Sequence, residues 1–130
     1  MSTYEFPRSL RLLRPGDFRN VFEQAEYKAG HPALLLLARS NQCNHARLGL
    51  VIAKRNIKFA TGRNRVKRII REQFRLKQYQ LPAIDIVVIA RRPLADIDNA
   101  ELHQCMVKLL AKLSRQYEKN PPDRSSSSTA

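Results

Sequence analysis

Residues 54–77 carry ten lysines and arginines and a single acid, Glu72, yet the apolar residues among them recur at helical spacing. Turning about 100° per residue from Arg63 places Val66, Ile69, Ile70, Gln73 and Phe74 on one side. Asn64, Lys67, Arg68, Arg71 and Arg75 fall on the other. The segment is therefore a helix with one stripe for a core and one rigid face of positive charge.

A solvated helix face ordinarily mixes signs, so that pairs at i and i+4 attract. Here Lys67 with Arg71, Arg68 with Arg71, and Arg71 with Arg75 repel across one face. Phosphates relieve such repulsion, and the arginine fork bridges two phosphate oxygens or stacks on a base. The whole chain agrees: 24 basic and 11 acidic residues give a formal charge of +13 on 130 residues, with a pI near 10.6. No zipper, paired helix-turn-helix spacing or zinc-ligand set accompanies the helix, so structured RNA is the expected partner and DNA is not.

At 43% hydrophobic the chain has enough apolar surface for the core of one domain. Its longest uninterrupted apolar run, residues 33–38, falls far short of the roughly 20 residues a spanning helix requires. Residues 1–13 contain no apolar signal-peptide core. Cys43 sits in an expected turn and Cys105 on an apolar helix stripe, so both read as reduced and structural and the chain as cytoplasmic.

Pro15 and Gly16 precede Phe18, Val21, Phe22 and Ala25 at helical spacing, which predicts a short first helix. Two apolar runs, residues 33–39 and 47–53, flank a polar turn at 40–45 and predict an antiparallel hairpin. Residues 84–90 are rich in β-branched side chains and predict a strand buried on both faces. Asp98 and Glu101 form a capping box ahead of Leu102, Cys105, Met106, Leu109, Leu110, Leu113 and Tyr117, the stripe of a last helix. The order helix, antiparallel strands, basic helix, strand, helix describes an α+β fold, a single small sandwich spanning residues 1–117. Residues 118–130, polar and proline-led, are expected to be a disordered tail.

Catalytic constellations are thin. His31, His45 and His103 lie far apart, with no metal-ligand or nucleophile neighbour at a recognised spacing. Asp96, Asp98 and Glu101 are explained by the electrostatics of a helix N-terminus. Thr61-Gly62 alone does not make a phosphate loop. Phe18 and Phe22, one turn apart, fit either core packing or a stacking platform for unpaired bases.

The run Gly62-Arg63-Asn64-Arg65-Val66-Lys67-Arg68-Ile69-Ile70-Arg71-Glu72 resembles the arginine-asparagine-arginine signature of the bacterial ribonuclease P protein component. The resemblance extends to Phe6-Pro7-Arg8, Leu10-Arg11-Leu12-Leu13, the helix carrying Phe18 and Phe22, the stretch 47–56 and the stretch 85–91, in that family's order. It implies a ribosomal-protein-like fold with a left-handed β-α-β crossover through the basic helix, an exception to the usual right-handed connection. It also implies a protein subunit that joins a large catalytic RNA to remove the 5′ leader from precursor tRNA. The RNA, with magnesium, would perform the hydrolysis, so no catalytic or metal residue is assigned to the protein. By the same resemblance Arg63, Asn64, Arg65, Lys67, Arg68 and Arg71 hold the catalytic RNA. Phe18, Phe22, Val51, Lys54 and Arg55 line a cleft for the leader. Leu36 departs from the pattern, because it falls near a position where some relatives carry an aromatic residue, which implies weaker stacking in the cleft. A non-catalytic ribosomal or RNA-assembly protein is the alternative function, and a DNA-binding regulator a more distant one.

Overall fold

The computed structural model describes Arg11 and residues 15–41 and 45–121. Seven main elements follow in order: α1 Pro15–Gln24, β1 Tyr27–Gly30, β2 Leu34–Ser40, β3 Arg47–Val51, α2 Ala60–Lys77, β4 Ile84–Ala90 and α3 Asn99–Lys119. Short 3₁₀ turns follow α2 and β4. The strands form one sheet in the order β1-β2-β4-β3.

β4 runs antiparallel to β2 and parallel to β3, with Val88 opposite both Leu36 and Leu50. The hairpin expected between the runs 33–39 and 47–53 therefore does not form, because β4 lies between them. The physical reason is in β4 itself, whose Ile84, Ile86, Val87, Val88 and Ala90 are all buried. A β2–β3 hairpin would have left that two-sided apolar strand on an edge, with one flank and both faces to cover. Inserting it centrally buries both faces, and α2 supplies the long crossover that a parallel pair requires.

β1 escaped the sequence reading. Its four residues contain no β-branched side chain, but Tyr27 and Ala29 are buried while Lys28 and Gly30 are exposed, the alternation of a strand. It pairs with β2 from Tyr27↔Ala38 to Gly30↔Leu35. A tight connection joins the two strands, closed by His31 N–H to Leu34 C=O at 2.8 Å and the reverse bond at 3.1 Å. The outer edge of β1 is covered by a side chain: Gln116 donates to Lys28 C=O at 2.6 Å and accepts from Lys28 N–H at 2.9 Å. Tyr27 ties the same edge down, donating to Asn120 C=O at 2.7 Å and lying 5.7 Å from the Tyr117 ring.

Three layers result. Leu34, Leu36, Leu48, Ile86 and Val88 on one sheet face meet Val66, Ile70 and Phe74 of α2 and Leu102, Met106, Leu110 and Leu113 of α3. On the other face Val21 of α1 is buried against Val87. The two helices of the thick layer are also cross-linked by Gln73 to His103 at 2.8 Å and by Arg65 Nη1 donating to Asn99 Oδ1 at 2.6 Å. Asp98 is the N-cap of α3 as expected, accepting from Glu101 N–H at 2.8 Å. That helix continues to Lys119, two residues past the expected domain end, while residues 122–130 of the expected tail lie outside the described residues. No helix among the described residues is long and apolar enough to cross a membrane.

Cys105 is a free, buried thiol; Cys43 lies outside the described residues. Cys105 Sγ lies 3.4 Å from His31 Nε2, and His31 Nδ1 accepts from Ala33 N–H at 3.0 Å. That acceptor role leaves the proton on Nε2, which points at the sulfur. Burial raises the thiol pKa, Glu101 adds to the rise and Lys108 opposes it. The unfolded chain therefore ionises first as pH rises past the ordinary thiol range near ~8.5, so stability is full below that pH and declines above it. In a Cys43→Ser protein, a thiol-alkylating reagent at mildly alkaline pH is expected to label Cys105 many-fold more slowly than in the denatured chain. Equal rates would mean an open thiol.

Candidate nucleic-acid interface

Two surfaces gather the residues singled out from the sequence, and they lie on opposite sides of the sheet. The first is on α2. Val66, Ile69, Ile70 and Phe74 anchor the helix, which leaves Asn64, Lys67, Arg68, Arg71, Glu72 and Arg75 lining a shallow groove with Arg11. Arg11 arrives through a parallel bridge to Leu48, so the groove lies along the outer edge of β3. Burial lowers the pKa of the Arg71 guanidinium, and the neighbouring charge of Arg11 lowers it further. The free protein thus holds like charges at some cost, and an anion in the groove would relieve it.

Arg63 and Arg65 do different work from their neighbours. Arg63 turns back to donate to the carbonyls of Ile57 and Lys58, both at 2.9 Å, and so fixes the loop into α2. Gly62 permits that loop to lie close, since a Cβ there would stand 3.0 Å from Ile57 Cγ2. Arg65 reaches across to Asn99 at the start of α3. Of the residues assigned to RNA by resemblance, Asn64, Lys67, Arg68 and Arg71 therefore share one groove, while Arg63 and Arg65 flank it. Arg75 was visible on the charged stripe of the helical wheel but was not singled out. Arg11 carried no periodic signal, because the bridge that brings it in joins segments far apart in sequence.

The second surface is the sheet face under α1. Strand register lays three rows across it: Arg39, Asp85 and Arg47; Leu37, Val87 and Gly49; Leu35, Ile89 and Val51. Val21 closes the middle row over Val87, and Phe18, Leu37, Val51 and Ile89 pack around that pair only partly buried. The last row is half open. Phe18 and Val51 meet there, whereas Phe22 is 45% exposed and outside the cluster. Lys54 and Arg55 stand exposed in the turn just after β3. Asn56 Nδ2 holds that turn to Ala90 C=O at 2.8 Å, so both cations sit at the open end of the row. Leu36 does not face this cleft; it is fully buried against the α2 and α3 layer, so an aromatic residue there would not have stacked on a base.

The charged row was missed. Arg47 Nε and Nη2 donate to the two oxygens of Asp85 at 2.8 and 2.7 Å, and Asn41 Nδ2 donates to Asp85 Oδ1 at 2.8 Å. Arg47 Nη1 also lies 3.9 Å from Asp17 Oδ2 in the first turn of α1. One bidentate pair thus joins β3 to β4 under the entry of α1. Its signal was Asp85 inside an otherwise apolar strand, which marks a buried acid that must have a partner.

The arrangement has close relatives. The family profile described as Ribonuclease P matches residues 6–114. The ribonuclease P protein component of Photobacterium profundum is 51% identical over 115 residues, covering 88% of this chain and 97% of that one. Its counterpart from Vibrio cholerae is 52% identical over the same extent. The solved ribonuclease P protein of Staphylococcus aureus superposes with a TM-score of 0.75 at 28% identity, covering 81% of this chain and 97% of that one. The Thermotoga maritima protein superposes with a TM-score of 0.68 at 31% identity, covering 77% and 94%. The chain belongs to the ribonuclease P protein family.

Proposed function

We propose that this chain is the protein subunit of a bacterial ribonuclease P and acts as a bridge between two RNA elements in 5′ maturation of tRNA. The observation that carries the reading is the placement of a basic groove and a half-open apolar cleft on opposite sides of one sheet. Asn64, Lys67, Arg68 and Arg71, joined by Arg11 and Arg75, take the phosphates of the catalytic RNA, while Arg63 and Arg65 set the helix that presents them. The row of Val51, Ile89 and Leu35 with Phe18 takes the single-stranded 5′ leader of precursor tRNA, flanked by Phe22, Lys54 and Arg55. Stacking and phosphate contacts tolerate any leader sequence, which suits an enzyme with many substrates.

Phosphodiester hydrolysis belongs in this reading to the RNA, and magnesium acts there. The described residues offer no group of three or more His, Cys, Asp or Glu that could hold a metal. The protein contributes affinity: it holds the leader beside the RNA's active site and favours precursor over leaderless product. By neutralising backbone charge it also lowers the magnesium an RNA fold requires.

The test is cleavage of precursor tRNA by a bacterial ribonuclease P RNA at low magnesium. The protein is expected to restore cleavage; failure with a competent RNA overturns the reading, and co-purification with ribosomal subunits would favour an assembly protein instead. Within the cleft, Phe22→Ala is expected to change stability by less than about 0.5 kcal/mol, as exposed positions do. It should weaken binding of leader-bearing substrate by roughly 1–3 kcal/mol, the worth of one stacked base, and leave product tRNA unaffected. Equal loss for both ligands would remove Phe22 from the leader path.

A further inference from the structure

A second row of positive charge runs down α3. Lys108, Lys112, Arg115 and Lys119 stand at i, i+4, i+7 and i+11, which at about 100° per residue places all four within an arc of roughly 60°. At 1.5 Å per residue the row is straight and about 16 Å long. All four side chains are exposed, and none ion-pairs with an acid among the described residues. Lys108 with Lys112, and Arg115 with Lys119, are like charges one turn apart, the same unfavourable spacing that marks α2.

The row lies away from the α2 groove. His103 and Asn99 face α2, through Gln73 and Arg65. Cys105 and Gln116 face β1, through His31 and Lys28. The cationic row lies beyond the β1 side, where Lys108, Lys112 and Arg115 line a groove together with Gly30 and His31, and Glu101 is its one acid. The α2 groove, by contrast, follows the β3 edge. Two packed helices are thus interposed between the cationic surfaces, roughly 20 Å of protein. The phosphates held by Arg68 and Arg71 are therefore not the ones within reach of Lys112.

We propose that the α3 row is a second docking surface for the catalytic RNA, gripping the sugar-phosphate backbone of a duplex segment distinct from the one on α2. Charge complementarity selects a polyanion, and the groove's lining selects its form. Its lining residues include no tyrosine, phenylalanine or tryptophan on which an unpaired base would stack. Three of the four cations are lysines, point charges suited to phosphates at fixed spacing rather than to base edges. The leader is the lesser candidate, since its cleft is on the other sheet face. This inference rests on the ribonuclease P reading above, and it makes the protein a clamp between two parts of one RNA fold.

The test is a titration of the full chain against a ribonuclease P RNA, and separately against precursor tRNA, over a range of salt. It compares wild type, a Lys108→Gln, Lys112→Gln, Arg115→Gln variant and a Lys67→Gln, Arg68→Gln variant. Glutamine keeps helix propensity, and matched melting curves verify folding. The α3 variant is expected to bind more weakly by about a hundred-fold or more near 0.1 M salt and to flatten the salt dependence by roughly two to three in log–log slope. Its loss should add to that of the α2 variant, as independent sites do. An α3 variant that matches wild type while the α2 variant weakens overturns the proposal alone. So does weakening confined to precursor tRNA, which would place the row on substrate. A wild type that does not bind the RNA overturns the function proposed above as well.

Discussion

Replacing Lys67, Arg68 and Arg71 together with glutamine is expected to weaken binding to the catalytic RNA by about a hundred-fold or more near 0.1 M salt. Each phosphate contact contributes roughly 0.7–0.9 to the log–log salt slope, so three lost contacts flatten it by two to three and remove a similar number of decades of affinity at that salt. Stability should not fall in parallel. The three side chains are exposed or half-buried on the groove wall, and the helix is anchored from its opposite stripe by Val66, Ile69, Ile70 and Phe74. Arg71 sharpens the expectation, because burial and the charge of Arg11 already disfavour its cation. Arg71→Gln by itself should leave the free protein as stable as before or slightly more so, while weakening the complex. Arg63→Gln should behave oppositely, since it unties the carbonyls of Ile57 and Lys58 and frees the loop. Equilibrium unfolding run beside the salt titration separates the two kinds of arginine. Equal affinity losses at positions 63 and 68 would count against the assignment of the groove.

That contrast also shows what one-dimensional reading reaches. Helical periodicity placed Asn64, Lys67, Arg68 and Arg71 on one face, because a face is a property of spacing alone, and the groove has them there. It could not separate Arg63 and Arg65 from the rest, because their partners, Ile57 and Asn99, are set by a loop and by a second helix. The sheet shows the same division. Each long apolar run became a strand, but pairing depends on which strand has two faces to bury, and β4 took the position beside β2 that proximity in sequence suggested for β3. Leu36 was placed near the cleft because adjacent residues of a strand look alike in sequence. A shift of one position carries a side chain to the other face, and Leu35 and Leu37, not Leu36, look toward α1.

Arg47→Met is expected to destabilise the domain by about 2–4 kcal/mol, through the acid it leaves behind. Removing one member of a fully buried pair typically costs 3–5 kcal/mol; here Arg47 retains 22% exposure and Asn41 remains on Asp85 Oδ1, which lowers the expected cost by about 1 kcal/mol. Asp85 is 8% exposed in the central strand and has no comparable access to water. The consequence should reach the leader cleft, because the Arg47 row lies beneath the first turn of α1 and Arg47 Nη1 is the near neighbour of Asp17. Loosening that end shifts Val21 and Phe18 over the sheet, so affinity for leader-bearing substrate should fall even under conditions where the variant is fully folded. A second substitution separates charge from packing. Asp85→Leu added to Arg47→Met removes the stranded acid and should recover part of the lost stability, since an apolar replacement of a buried pair is often neutral. The double variant should not recover leader affinity to the same degree, because the tie to α1 is still missing. Denaturant unfolding of the two variants, with the slope unchanged, reads the first expectation. A loss below about 0.5 kcal/mol for Arg47→Met would mean that the pair behaves as an exposed one, and that α1 is held in place by the packing of Val21 and Phe18.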